Sequence, residues 1–160
     1  MAPVRLLDVT RENFDACINL RVREDQRGFV APNVYSIAQS KVYPGVQTKA
    51  IYAGETLVGF VMWGADEGEN PGEMWIWRLM IEAEQQGNGY ARAALEQIIR
   101  LGQASGHDAL FVSYVPENSG AARLYASLGF TETGRVEDGE IVVRKDLRDP
   151  RGAALSASNR

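Results

Sequence analysis

Apolar positions recur along the chain with two different periods, and these periods predict its secondary structure. Short β-prone runs predict strands at 4–9, 49–53, 56–64, 74–81 and 108–115. Apolar residues three and four apart predict helices at 10–22, 31–43, 89–104 and 117–128. A hairpin follows at 130–147, with Asp138-Gly139 in its turn. This order predicts an α+β fold, in which a crossover helix joins the central strands of one sheet and helices cover both of its faces.

The helical periods also predict which side chains face the core. In the first helix Thr10 is the expected N-cap, and the expected inward residues are Phe14, Cys17 and Ile18, with Val22 as a further candidate. In the second helix the expected inward residues are Val34, Ile37 and Ala38. In the third they are Ala91, Ala94, Leu95, Ile98 and Ile99. The fourth helix is expected to stop at Gly129, because glycine accepts the left-handed conformation.

Composition and charge narrow the classes of function. The 160 residues fit a single domain at 1–147 followed by a polar tail at 148–160. A net charge of -4 gives no general attraction to nucleic acid or to an anionic membrane, so neither is an expected partner. Cys17 is the only cysteine and His107 the only histidine. These counts exclude an internal disulfide, a cysteine metal cluster and a two-histidine zinc site, so no metal is expected. The sequence has neither a signal-peptide core nor a membrane-spanning apolar run, which predicts a cytoplasmic protein.

Two glycines, Gly87 and Gly89, stand one residue apart between a predicted strand and a predicted helix. A dinucleotide motif requires a small residue where Arg92 stands, and a phosphate-binding loop of the Walker type requires a Gly-Lys-Ser/Thr ending that is absent. The physical feature that remains is a helix N-terminus with exposed backbone N–H groups and little side-chain bulk, which favours an anion such as a pyrophosphate. A tight turn without any ligand explains the glycines equally well.

The surrounding motifs resemble those of the GCN-five-related N-acetyltransferase (GNAT) superfamily. Gln86–Ala91 matches that family's Gln/Arg-x-x-Gly-x-Gly/Ala loop for coenzyme A, and 74–81 precedes it as the fourth strand would. Residues 118–130 are similar to the family's Asn-x-x-Ala-x-x-x-Tyr-x-x-x-Gly-Phe helix, with the alanine duplicated at Ala121 and Ala122 and with Tyr125 seven residues after Asn118. The resemblance covers about 4–147. It implies the GNAT fold, with a mixed sheet of six to seven strands, and acetyl-CoA as co-substrate.

The same resemblance assigns residues to the coenzyme. Those implied to hold its pyrophosphate are Gln86, Gly87, Asn88, Gly89, Tyr90, Ala91 and Arg92. Backbone groups of the fourth strand would pair with the pantetheine arm, at Leu79, Met80 and Ile81, and an N–H near Met80 would polarise the thioester carbonyl. These three residues also fit an ordinary core strand. Asn118 would hold the coenzyme or cap its helix.

Acetyl transfer to an amine also needs an acid and a base. Tyr125 is the implied acid, because a phenol with a pKa of about 10 stays protonated and can donate to the leaving thiolate. A core aromatic on an amphipathic helix is the alternative. Glu73 is the candidate base, on one strand face with Trp75 and Trp77 if the strand is regular. A solvated loop glutamate is the alternative there.

For the acceptor, 23–40 and 75–95 are most similar to the bacterial spermine/spermidine N-acetyltransferases, which implies a small-molecule polyamine. Carboxylates at Glu24 and Asp25 and aromatic walls at Trp75 and Trp77 would suit a flexible polycation. A solvated turn and core tryptophans remain the alternatives. Other acceptors also fit: a protein N-terminus, an antibiotic amine or an amino acid. A non-catalytic acyl-CoA-binding module and a homodimer remain open as well.

Overall fold

A seven-stranded mixed sheet organises the molecule. The computed structural model describes residues 2–66, 68 and 70–148. The strands are β1 (Val4–Leu7), β2 (Val46–Ala53), β3 (Thr56–Gly64), β4 (Glu73–Ile81), β5 (Ala109–Tyr114), β6 (Thr131–Glu137) and β7 (Glu140–Asp146). They lie in the order β1-β2-β3-β4-β5-β7-β6, and β4 with β5 is the one parallel pair in that order. This confirms the predicted α+β class with a mixed central sheet.

Four helices cover the two faces of this sheet. They are α1 (Phe14–Ile18), α2 (Asn33–Ser40), α3 (Tyr90–Ala104) and α4 (Ser119–Ser127), with single 3-10 turns at Glu24–Gln26 and Ala83–Gln85. On one face, α1 lies over a cluster that includes Cys17, Phe60 and Met80. On the other face, α3 and α4 enclose the larger cluster around Leu95 and Tyr125. The order of the main helices and strands is the predicted one.

The central strands β4 and β5 separate after a short stretch of pairing. They pair only where 73–75 lies beside 109–111, although β4 continues to Ile81 and β5 to Tyr114. A bulge also interrupts β4, because Met62 pairs with Arg78 while Trp63 pairs with Ile76, which leaves Trp77 as an extra residue. A bulge bends its strand and increases the local twist. The two strands therefore enclose an open wedge in the middle of the sheet.

The first helix is shorter than predicted. It begins at Phe14 after an N-cap at Asn13, so Thr10 is not the cap; the Thr10 N–H instead donates to Asn13 Oδ1 at 2.7 Å. Phe14 is 38% exposed, against the prediction, while Cys17 is fully buried. The helix stops because Arg21 pairs elsewhere: its N–H donates to Glu82 Oε2 at 2.7 Å, and its carbonyl accepts from the Ala83 N–H at 2.8 Å.

The second helix buries only part of the predicted face: Ile37 packs against the Cys17 cluster as predicted, but the other two predicted residues do not. Val34 is 50% exposed and Ala38 is also exposed, whereas Asn33 and Ser36 are buried. Asn33 is satisfied there because its Nδ2 donates to the Cys17 carbonyl at 2.9 Å. Hydrogen bonding, which the apolar pattern does not report, therefore sets the rotation of this helix.

Other local predictions are confirmed. In α3 the buried residues are Ala94, Leu95, Ile98, Ile99 and Gly102. Gly129 ends α4 with φ of +90°, and Asp138 and Gly139 both have positive φ in the hairpin turn. Among the described residues, no helix is long and apolar enough to span a bilayer. The predicted tail lies outside the described residues from 149 onward.

Candidate active site

The wedge between β4 and β5 opens into a cavity of about 780 Å³. Its walls are the separated parts of the two strands, 76–81 and 112–114. The glycine loop closes one side, and part of the segment 22–31 closes another. Tyr125 from α4 and Glu140 from β7 also line the cavity. The fold thus brings a helix N-terminus, an unpaired strand edge and two ionisable side chains to one space.

The backbone of β4 presents alternate residues to this cavity. The Glu82 N–H donates to the Val58 carbonyl of β3 at 2.8 Å. Since backbone groups in antiparallel strands point alternately to the two sides, Met80 also faces β3, whereas Leu79 and Ile81 face the wedge. The Ile81 carbonyl accordingly accepts from Gln86 Nε2 at 3.0 Å instead of from β3. This geometry favours the N–H of Leu79, not one at Met80, as the free donor.

The loop at 86–89 owes its shape to its glycines. Gly87 and Gly89 have φ of +82° and +81°, which disfavours other residues, and Gly89 is the N-cap of α3. A Cβ placed on Gly87 would meet no atom within 4 Å, so the space beside this backbone is open. The Asn88 side chain does not line the cavity; its Nδ2 donates to the Gln85 carbonyl at 3.0 Å and holds the turn.

The start of α3 adds a positive charge to this loop. Tyr90, Ala91 and Arg92 all line the cavity. Arg92 donates to the Ser127 hydroxyl, and its guanidinium lies 4.0 Å from Glu96 on the exposed side. Backbone N–H groups, the helix dipole and this guanidinium together suit a phosphate-bearing group.

Gln86 connects the loop to the segment that follows α1. Its side-chain amide and that of Gln26 form two reciprocal hydrogen bonds, at 2.8 and 3.2 Å. Glu24 and Asp25 lie on the adjacent turn, but they are exposed and do not line the cavity. Their carboxylates pair with Arg27 at 3.2 Å and Arg23 at 3.9 Å.

Tyr125 is buried at the junction of α4 and the wedge. Its ring packs against Tyr114 at 5.9 Å and Phe130 at 5.5 Å between centroids. Burial raises the pKa of Tyr125 above that of a free phenol, and the Glu140 carboxylate and Tyr114 raise it further. The phenol therefore stays neutral at physiological pH and can donate a proton. At the start of α4, Asn118 Oδ1 accepts from the Ala121 N–H at 3.1 Å, so Asn118 caps the helix and also lines the cavity.

The structure places one of the two predicted tryptophans in the cavity, and leaves the other tryptophan and the predicted base outside it. Glu73 and Trp75 lie where β4 still pairs with β5, outside the cavity lining. Trp75 stacks on Phe111 with centroids 5.0 Å apart, beneath the Arg135 guanidinium. Trp77, at the bulge, lines the cavity beside Tyr43. No contact among the described residues brings Glu73 to the wedge.

Several polar residues of the cavity, Arg78, Ser113 and Glu140 among them, have no counterpart in the sequence prediction. Arg78 follows the bulge, Ser113 lies on β5 and Glu140 begins β7. Arg78 donates to the Trp77 carbonyl at 2.7 Å and to Gln39 Oε1 at 3.3 Å, but its buried Nε has no partner. Burial lowers the pKa of Arg78 from its usual value. The described residues include no group of three or more His, Cys, Asp or Glu side chains placed to hold a metal ion.

An open strand edge beside a glycine-rich helix start, with a neutral phenol across the cavity, suits an acyl transferase that uses a phosphate-bearing acyl carrier. Residues 10–130 match the model of the acetyltransferase (GNAT) family. The chain belongs to this family, and it is an acyltransferase.

Known proteins similar to the chain agree with this assignment. The spermine/spermidine N(1)-acetyltransferase of Bacillus subtilis (strain 168) is 27% identical over 150 residues, which are 90% of this chain and 99% of that protein. The ribosomal-protein-S18-alanine N-acetyltransferase from Escherichia coli has the same fold, with a TM-score of 0.70 and 17% identity over 91% of this chain and 95% of that one. The PaiA N-acetyltransferase from Thermoplasma acidophilum, solved in complex with coenzyme A, superimposes with a TM-score of 0.69 and 13% identity over 89% and 98%.

Proposed function

We propose that the protein transfers the acetyl group of acetyl-CoA directly to a primary amine, and that the acceptor is a polyamine such as spermine or spermidine. The observation that carries the proposal is the single cavity that joins the glycine loop to Tyr125 along an unpaired strand edge. We also propose a cytoplasmic location, with which the buried, unpaired Cys17 is compatible.

The residues present fit the coenzyme. The backbone at Gly87 and Gly89 and the Arg92 guanidinium would hold its pyrophosphate, where the open space beside Gly87 admits it. The backbone groups of Leu79 and the N–H of Ile81 would pair with the pantetheine arm as an added strand would. Acetyl-CoA supplies an acetyl group activated as a thioester. The Leu79 N–H is the donor proposed to polarise its carbonyl.

Tyr125 is proposed as the acid that protonates the leaving thiolate. Its raised pKa keeps the phenol protonated at rest, and its place in the cavity lining gives it access to the wedge. Proton transfer by a positioned acid of this kind contributes about 10²- to 10⁴-fold to a rate.

The polyamine acceptor is supported by the name of the B. subtilis relative and by the excess of acidic residues, 21 against 17 basic. A polycation can place one amine in the cavity while its other ammonium groups meet carboxylates outside. Glu24 and Asp25, on the segment that forms part of the cavity wall, remain the predicted partners for those groups. Such charge-assisted contacts contribute about 1.5–3 kcal/mol each when the bound polycation partly desolvates them.

A panel of amines tests this proposal. Thiol release from acetyl-CoA, with mass spectrometry of the products, is measured for spermine, spermidine, a monoamine of similar length, an amino acid, a peptide and an aminoglycoside. We expect kcat/KM for the polyamines to exceed that for the monoamine by about tenfold or more, since one additional contact of about 1.5 kcal/mol gives that ratio. Faster transfer to the peptide, amino acid or aminoglycoside would refute the polyamine but not the transferase. Coenzyme binding without transfer to any amine would indicate a non-catalytic module.

A further inference from the structure

Glu140 is the one carboxylate among the described residues that line the cavity. The charged side chains that line it with Glu140 are all arginines, Arg23, Arg78 and Arg92. Arg92 lies at the start of α3, beside the proposed pyrophosphate site. An ammonium group that enters the cavity therefore meets a single negative side chain, and that side chain is Glu140.

The fold holds Glu140 on the opposite side of the sheet from Tyr125. Along β7, Val143 belongs to the core beneath α3 and α4, as Tyr125 does, whereas Val142 packs against Phe111 and Trp75 on the other face. Side chains of a strand alternate, so Glu140 shares the face of Val142. Acid and carboxylate thus flank the wedge from two sides, so that one can act on the leaving sulphur and the other on the amine.

Groups from every neighbouring element set the surroundings of Glu140. On β5, the Ser113 hydroxyl donates to Glu140 Oε1 at 3.4 Å. The charge of Arg78 on β4 and the phenol of Tyr125 on α4 both interact electrostatically with the Glu140 carboxylate. On β6, Glu137 lies opposite Glu140 in register, but it forms an ion pair with Arg135. The Ser113 hydroxyl therefore orients this carboxylate, and no ion pair within 4.0 Å among the described residues neutralises it.

We propose that Glu140 binds the ammonium group of the acceptor and takes its proton, directly or through one water. This inference rests on the proposed function. The ammonium loses one proton to the Glu140 carboxylate, and the neutral nitrogen forms a bond to the acetyl carbon. The bond from that carbon to sulphur breaks, and Tyr125 protonates the departing thiolate. The nitrogen releases its second proton, which restores the Tyr125 phenol, and Glu140 returns its own proton to solvent.

The test compares pH profiles of kcat/KM for spermidine in the wild-type protein and four variants. Glu140→Gln keeps the shape of the side chain but removes the base, so we expect a loss of about 10²-fold or more near pH 7. The loss should shrink to less than about tenfold near pH 10, because solution then supplies neutral amine. Glu140→Asp should recover part of the activity. Glu132→Gln, an exposed glutamate on β6, is the matched control and should behave as wild type.

Coenzyme affinity and thermal unfolding of each variant separate catalysis from folding. We expect both to stay at the wild-type level in Glu140→Gln. A loss of activity in Glu140→Gln that is equal at every pH would mean a structural role and overturn the proposal. Wild-type activity in Glu140→Gln would overturn it as well. In either case, acetylation by the wild-type protein would still support the proposed function. A pH-dependent loss in Glu73→Gln instead would assign the base to Glu73. If the wild-type protein acetylates no amine, both proposals fail together.

Discussion

Tyr125 and Glu140 illustrate how the environment of a residue decides its chemistry. Tyr125 is buried between two aromatic rings, and burial together with the negative charge of Glu140 disfavours ionisation of its phenol and raises its pKa. Glu140, at the edge of the same cavity, is a carboxylate that accepts a hydrogen bond from the Ser113 hydroxyl. One group is suited to give a proton and the other to take one.

Substitution of Tyr125 by phenylalanine tests the proposed acid at the residue scale. Tyr125→Phe removes only the hydroxyl, so the aromatic packing should remain and the protein should fold normally. We expect kcat to fall by about 10²-fold while the Kd for acetyl-CoA stays within about twofold, because the hydroxyl acts on the leaving group. Steady-state kinetics and calorimetry measure the two quantities. Unchanged turnover would show that Tyr125 only packs.

At the scale of elements, the sequence predicts type and order well but predicts contacts between elements poorly. The periods of α3 and the Asp138-Gly139 turn are local signals, and both are confirmed. The end of α1 depends on two hydrogen bonds between the Arg21 backbone and the residues that follow β4. The rotation of α2 depends on the hydrogen bond from the Asn33 side chain to α1. Those partners are distant in sequence, so no local pattern reports them.

The cap of α4 gives a prediction at this scale. Asn118→Ala removes the acceptor for the Ala121 N–H, and we expect the free energy of unfolding to fall by about 1 kcal/mol. Asn118→Ser keeps a capping oxygen and should retain most of that stability. Urea denaturation of the wild type and both variants measures the difference. Equal stability of the alanine variant and the wild type would contradict the role of Asn118 as a cap.

At the scale of the whole molecule, the candidate site results from how the sheet is assembled. The bulge at Trp77 and the early end of β4–β5 pairing open the wedge, and the insertion of β7 between β5 and β6 brings Glu140 to it. The glycine loop and Tyr125 could be identified from the sequence because their motifs are contiguous. Arg78 and Glu140 could not, since their positions follow from the bulge and from strand order, which no local pattern in the sequence indicates.

The central claim is that acetyl-CoA binds in this wedge against the glycine loop. The most direct test is a calorimetric titration of acetyl-CoA into the wild type and into the variants Gly89→Asp and Gly134→Asp. Gly134 is the matched control, because its φ of +82° equals the +81° of Gly89 within a degree, yet it lies on β6 outside the cavity lining. Both variants place a side chain at positive φ and add the same charge. We expect Gly89→Asp to weaken the Kd for acetyl-CoA by about tenfold or more, which is about 1.4 kcal/mol, while Gly134→Asp binds as wild type does. Equal affinity of Gly89→Asp and wild type would contradict the account.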